Sequence, residues 1–241
     1  SSEIIEQERL EGMEEALIQQ EFYGSFEAQI AGAYFADQIA SAKEQGRVSR
    51  LPIEPSLMVH TAWDLGISDS MSIWLFQAMG KEIRLIGYYE NNGKGMEHYI
   101  QWLNQYASTH NVMLGQHLAP HDIEVRELTS GRSRKEVARE MGISFRTVQR
   151  PRTKAEGIQA IRRMFPRFWF DEDRTEHGLN CIASYHREFD EKRNVFKDTP
   201  VHDWASHGAD ALQTLALGWQ ESMVSGHRPQ PRQAEVRFSV F

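Results

Sequence analysis

The chain holds 241 residues, 40% of them hydrophobic and 25% charged, enough to bury one sizeable core, alone or with an appendage. No apolar run approaches the ~20 residues that cross a bilayer, and no basic-then-apolar leader opens the sequence. One cysteine, Cys181, leaves neither a disulfide framework nor a cysteine zinc site, so a reducing cytoplasm is the expected setting. The net charge of −7 argues against a nucleic-acid partner until its distribution is read. Residues 131–167 carry eleven Lys/Arg against three Glu, a local +8 that leaves −15 elsewhere. Such a basic patch on an acidic body suits contact with phosphates.

In chain order, residues 3–23 are rich in Glu, Gln, Leu, Ile and Ala and read as helix. Phe22, Tyr23, Phe26, Tyr34 and Phe35 follow at helical intervals, and residues 1–50 are expected to form a helical appendage, the remnant of a preceding domain. The proline-stiffened stretch Arg50-Leu51-Pro52-Ile53-Glu54-Pro55 is the linker to a main domain over residues 51–225. Three short apolar runs, Leu57–Trp63, Ser72–Ala78 and Glu82–Tyr89, are separated by turn residues and predict an antiparallel meander. A helix over Met96–Ser108 and a strand over 112–119 come next. Helix 133–141, strand 145–149, helix 153–165, strand Phe168–Phe170 and helix Glu172–Glu188 then alternate. Thr199-Pro200 breaks the chain before a last helix from about Asp203 to Gln220, and residues 226–241 form a Pro-, Arg- and Gln-rich tail. The order predicts an α/β fold, a central mixed sheet with helices packed around it. Trp169, Trp204 and Trp219 are expected in the core, and Cys181 as a small buried hydrophobe.

The candidate chemistry begins at Asp64, which ends the first apolar run just before Leu65-Gly66. From this stretch alone it reads equally as a turn aspartate after a strand or as a site residue, since an ionised aspartate is rarely left deep in a core without a partner or a metal. Asp122 ends a second strand-like run, at Pro120-His121-Asp122. In the last helix Asp203, His207 and Asp210 recur at i, i+4 and i+7, on one face. A helix leaning across the sheet would bring that face to Asp64 and Asp122. Gathered carboxylates raise one another's pKa and are best tolerated around a divalent cation. Oxygen donors point to Mg²⁺ or Mn²⁺. Two such ions can activate a water and stabilise the leaving 3′ oxygen of a phosphodiester. His207, Asp203 and Asp69 are candidate neighbours of these ligands, with a helix N-cap the leading reading for Asp203 and a turn for Asp69. For DNA contact the candidates are Arg132, Arg134, Lys135, Arg146, Arg150, Arg152 and Lys154. The loop Asn91-Asn92-Gly93-Lys94-Gly95 lacks the spacing of a phosphate-binding loop, and no ATPase motif is visible.

Four motifs in order give the chain a family resemblance: Trp63-Asp64-Leu65-Gly66, Pro120-His121-Asp122, Gly131-Arg132-Ser133-Arg134 and His207-Gly208-Ala209-Asp210-Ala211-Leu212. With the lead-in Gln20-Glu21-Phe22-Tyr23-Gly24-Ser25-Phe26, the sequence from about 20 to 218 resembles the C-terminal nuclease domain of the large terminase subunit of tailed phages. The resemblance implies a ribonuclease-H-like fold of the retroviral-integrase superfamily. It implies that Asp64, Asp122 and Asp210 are the catalytic, metal-binding triad, holding two Mg²⁺ or Mn²⁺ ions. The implied activity is cutting concatemeric double-stranded DNA at the start and end of genome packaging. The small terminase subunit and the procapsid portal would be the partners, in the host bacterial cytoplasm and with no membrane. That family's motor domain, with its Walker motifs, has no counterpart here, so ATP hydrolysis is not expected.

Two rival readings remain at this level. Another ribonuclease-H-like nuclease, of resolvase or transposase type, could use the same three carboxylates. Alternatively, Ser133–Gln149 passes as a helix-turn-helix with Gly142 in the turn, which would make the chain a non-enzymatic DNA-binding module.

Overall fold

The computed structural model describes residues 32–66, 70–126, 131–190 and 192–224. Seven strands form the central sheet: β1 (Val48–Ser49), β2 (Val59–Asp64), β3 (Met71–Met79), β4 (Glu82–Asn91), β5 (Leu114–Pro120), β6 (Phe145–Val148) and β7 (Phe168–Asp171). Their spatial order is β1-β7-β4-β3-β2-β5-β6. The meander is present, with β3 antiparallel to both β2 and β4. The outer strands join in parallel, β5 on β2, β6 on β5, β7 on β4 and β1 on β7. The fold is ribonuclease-H-like: a mixed sheet covered by helices on both faces.

Alternation along the strands feeds two cores. On one face Trp63, Ile73, Leu75 and Ile86 meet Tyr99, Ile100 and Leu103 of α2 (Met96–Thr109), with Ala138 of α3 (Arg134–Glu140) nearby. On the other, Ala62, Trp74, Phe76, Leu85, Phe168 and Phe170 meet three helices. These are α4 (Lys154–Met164), α5 (Glu176–Ser184) and α6 (Trp204–Gly218). Strand β3 is buried along eight of its nine residues, as expected for the middle of a sheet covered twice. Trp63 therefore faces one core, while Asp64, the next residue, faces α6.

Several expectations are corrected. The helix expected over Glu172–Glu188 stops at Ser184, and β8 (Arg187–Asp190) pairs with β9 (Val195–Pro200) in a separate hairpin. Phe189 packs across the hairpin on Phe196, ring centroids 5.0 Å apart. The second half of the suggested helix-turn-helix is a strand, since Phe145–Val148 pairs in parallel with β5. The first half is α3, started by a capping box between Ser133 and Glu136. Trp204 is 50% exposed rather than core. Within residues 1–50, the described part packs on the central sheet and its core. Phe35, with Ile39 and Ala42 of α1 (Ala36–Glu44), joins the core of Phe165 and Tyr185, and β1 extends the sheet. The aromatic lead-in before residue 32 and the tail after 224 lie outside the described residues.

Within the sheet, two buried histidines, His60 of β2 and His117 of β5, are held neutral. The Gln116 N–H donates to His60 Nδ1 at 2.9 Å. Trp63 Nε1 donates to Thr61 Oγ1, and the same hydroxyl is hydrogen-bonded to His117 Nδ1 at 2.7 Å. Burial lowers both imidazoles from the ordinary 6.5 to about 4. Between those values the unfolded chain binds more protons than the fold, so stability falls as pH drops through that window. Each histidine contributes a slope of up to about 1.4 kcal/mol per pH unit. Urea midpoints measured from pH 7 to pH 4 should fall accordingly, and a His117→Asn variant should show about half this dependence.

Candidate active site

A cleft of about 200 Å³ opens at the C-terminal ends of β2 and β5, where α4 and α6 converge. Its walls include Asp64, His121, Asp122, Arg150, Lys154 and Asp210. Asp64 is brought there by β2. Asp122 sits in the 3₁₀ turn His121–Glu124 that follows Pro120. Asp210 projects from α6, which is pinned to the sheet one turn earlier: Ser72 Oγ donates to His207 O and Trp74 Nε1 to Gly208 O, each at 2.9 Å. These bonds to main-chain carbonyls fix the position of the helix, and with it the depth at which Asp210 enters the cleft.

The electrostatics are those of crowded carboxylates. Burial holds the Asp64 carboxyl above its ordinary value, and the neighbouring Asp210 carboxylate pushes the same way. His207 Nδ1, 3.7 Å from Asp64 Oδ2, and Lys154 oppose the shift. Lys154 Nζ lies 3.0 Å from each oxygen of Asp210, so a cation already bridges that carboxylate. Asp122 is more open, and His121 Nε2 lies 2.8 Å from its Oδ1. The three carboxylates share the cleft without their oxygens all coming within 4.8 Å of one another. An oxygen-ligated divalent cation fits this donor set, provided that Lys154 leaves Asp210 and the aspartates close in.

The ammonium therefore competes with any metal at Asp210. A Lys154→Ala variant should bind Mn²⁺ more tightly than the wild type, by a few-fold to roughly tenfold given the part-exposed pair. Calorimetric titration in the absence of DNA measures this directly.

The remaining sequence candidates are distributed unevenly. His207 reaches Asp64, whereas Asp203 caps α6, its Oδ1 accepting from Ala205 N at 2.9 Å. Asp69 lies outside the described residues. Of the seven basic candidates, Arg150 and Lys154 line the cleft. Arg146 is taken up structurally, its guanidinium donating to Gly218 O at the end of α6. Lys135 Nζ binds Glu124 Oε1 and Thr147 Oγ1, at 2.7 and 2.8 Å. Arg132 pairs with Glu140, and Arg134 Nη1 donates to Gly66 O at 3.3 Å. Arg152 does not appear in the cleft wall, and its main-chain N–H donates to Glu156. Sequence reasoning missed His121, whose Nδ1 is buried with no hydrogen-bond partner, together with Gln213 and Thr214. The last two lie three and four residues beyond Asp210, a spacing that places them on its face of the helix.

No protein-family profile matches the sequence, and no curated protein matches it. Solved structures do match the fold. The large terminase of the thermophilic bacteriophage D6E superposes with a TM-score of 0.54 at 16% identity, over 71% of this chain and 42% of that one. The chain thus spans less than half of the D6E protein. The nuclease domain of the P22 large terminase superposes with a TM-score of 0.51 at 16% identity, over 76% of this chain and 90% of that domain. The chain has the ribonuclease-H-like fold of phage large-terminase nuclease domains.

Proposed function

We propose that the protein is a metal-dependent DNA endonuclease acting in phage genome packaging, with Asp64, Asp122 and Asp210 as its metal-binding residues. The observation that carries this reading is the convergence of the three aspartates in one cleft, in a fold shared with terminase nuclease domains. The aspartates would hold Mg²⁺ or Mn²⁺, two ions being the number the reaction uses. Bound there, the ions supply Lewis-acid polarisation of the phosphodiester and a lowered pKa for the attacking water.

The protein's own residues do the rest. Asp64, Asp122 and Asp210 provide negative charge against which the cations and then the DNA backbone are drawn in. Lys154, released from Asp210, is within the same cleft and available to a backbone phosphate. Arg150 on the cleft wall adds a second phosphate contact. Such contacts place the duplex without reading its bases, so weak sequence preference is expected. His207 orders the Asp64 carboxylate through their 3.7 Å pairing. Concatemeric double-stranded DNA is the proposed substrate, with the small terminase subunit and the portal as partners in the complete packaging machinery.

Plasmid nicking tests the reading. Wild-type protein with Mn²⁺ or Mg²⁺ should convert supercoiled DNA to nicked and linear forms, EDTA should stop it, and Asp210→Ala should be inactive while retaining its circular dichroism spectrum. Equal cleavage by Asp210→Ala would overturn the site. Cleavage confined to branched or transposon-end DNA would move the function to a resolvase or transposase.

A further inference from the structure

Beside α6, β4 and α5 bring together a second group of ligating side chains. Glu90 lies at the end of β4, and His177 and Cys181 lie on α5 at i and i+4, one face of one helix. One ligand atom from each, a carboxylate oxygen, an imidazole nitrogen and the thiol sulfur, all fall within 4.8 Å of one another. Among the described residues no other group of histidine, cysteine and carboxylate side chains is this compact. His177 Nε2 and Glu90 Oε2 are 3.4 Å apart, close to the edge of a tetrahedron whose metal–ligand bonds are about 2.0–2.2 Å.

The surroundings hold these groups in place. The His177 ring stands between Trp204 and Tyr88, at centroid distances of 6.2 and 5.6 Å. This sandwich explains why the large side chain of Trp204 lies half-exposed on the surface rather than in the core. The Tyr88 hydroxyl donates to Glu90 Oε2 at 2.5 Å and lies 3.9 Å from Cys181 Sγ. A partner of that kind, bonded to a ligating carboxylate from behind, is what orients ligands around a metal. Cys181 is fully buried while the His177 side chain is 60% exposed, so the group has an inner sulfur and an outer edge open to solvent.

We propose that Glu90, His177 and Cys181 form a binding site for one zinc-type divalent cation, separate from the carboxylate cleft. A mixed O, N and S donor set suits Zn²⁺ and its analogue Co²⁺, and disfavours Mg²⁺ and Mn²⁺. Three protein ligands leave a fourth position for water on the exposed side. Burial, with the Glu90 charge adding to it, pushes the Cys181 thiol up to about 12, so the group is protonated at neutral pH before an ion arrives. Binding exchanges that thiol proton for the cation and releases it to solvent. The site would tie the end of β4 to α5, beside α6. Asp64, Ser72 and Glu90 are in register on neighbouring strands, so the cation would lie two strand spacings, roughly 10 Å, from Asp64.

The proposal does not depend on nuclease activity and is tested spectroscopically on the full chain, with Co²⁺ as the probe after chelator treatment. Wild-type protein should develop a thiolate-to-cobalt charge-transfer absorption in the near ultraviolet, saturating at one equivalent and abolished by added Zn²⁺. Cys181→Ser should lose the band. His177→Ala, which alters an exposed side chain, should weaken Co²⁺ binding by at least roughly tenfold, whereas Asp64→Asn should leave the band unchanged. A folded wild type without the band would overturn the site. So would a band that survives in His177→Ala and Glu90→Gln at undiminished affinity, because the thiol would then be binding by itself.

Discussion

An Asp64→Asn variant should lose DNA cleavage by at least about 10³-fold and yet melt at a higher temperature than the wild type when both are free of metal. The two effects have one cause. Burial, reinforced by Asp210, raises the Asp64 pKa above its ordinary 3.8, so the folded state disfavours the charge that the unfolded chain carries without cost. For a carboxyl with a raised folded pKa, the fold binds the extra proton. Stability therefore falls as pH rises from 3.8 through the folded value, and the whole penalty is present above it. Asparagine keeps the shape and removes the charge. The stability difference between variant and wild type should shrink as the solution is acidified below 3.8, where both are neutral at this position. Adding Mn²⁺ should raise the melting temperature of the wild type and much less that of the variant, since an ion that binds only the fold stabilises it by mass action. Thermal scans at pH 7 and pH 3, with and without Mn²⁺, check all of this. A variant less stable than wild type at pH 7 without metal would show that the His207 and Lys154 contacts outweigh burial.

That a carboxylate should terminate β2 was legible, because Leu57-Met58-Val59 and Trp63-Asp64-Leu65-Gly66 mark a buried strand reaching a turn. The meander was legible for the same reason: its three strands are contiguous in sequence and separated by short turns. Period-2 and period-3.6 patterns report which face a residue takes, and they placed Asp64 and Asp210 correctly on elements that meet. They carry less information about what long polar side chains reach. Arg146 and Lys135 look like surface cations in the sequence, yet they bind a helix-terminal carbonyl and a glutamate–threonine pair. The crossing of β6 and α6 decides the first, and the meeting of α3 with β6 and the 3₁₀ turn decides the second. The hairpin at 187–200 was hidden because the helical signal of Glu176–Ser184 continues smoothly into Tyr185-His186. What ends it is the tertiary pairing of Phe189 with Phe196. Residues 34–49 show the same limit of sequence patterns. An aromatic cluster near a chain end suggests a neighbouring domain, but Phe35 is stacked on Phe165 and Tyr185 of the main core, 130 and 150 residues later.

The second large effect is expected at Gly178, in the first turn of α5. A Cβ there would stand 2.4 Å from Trp74 Cη2, 2.6 Å from Trp74 Cζ2 and 2.8 Å from Tyr88 Cδ2. Helix propensity alone favours alanine over glycine by about 1 kcal/mol. Here the neighbours cannot give way. Trp74 is fully buried and its indole N–H is committed to Gly208 O, while the Tyr88 hydroxyl is committed to Glu90. Overpacking of this kind costs about 1–3 kcal/mol, so Gly178→Ala should be net destabilising by up to about 2 kcal/mol, and Gly178→Val more so because it also adds β-branching. Gly157 in α4 offers the control. Its nearest obstacle is the Gln213 side chain, whose amide end can swing into the cleft, so Gly157→Ala should lie within about 1 kcal/mol of wild type. Denaturant unfolding of the three variants gives the ranking. Because the displaced Trp74 holds Gly208 O, the same overpacking should reach the site: α6 shifts off its two anchoring bonds, and Asp210 loses its place in the cleft. Gly178→Ala should then cleave DNA more slowly even at temperatures where it is fully folded, while Gly157→Ala keeps the anchoring of α6 intact. If Gly178→Ala unfolds earlier but cleaves at the wild-type rate when folded, the link from Trp74 through α6 to Asp210 is absent, and the cleft is positioned by the strands alone.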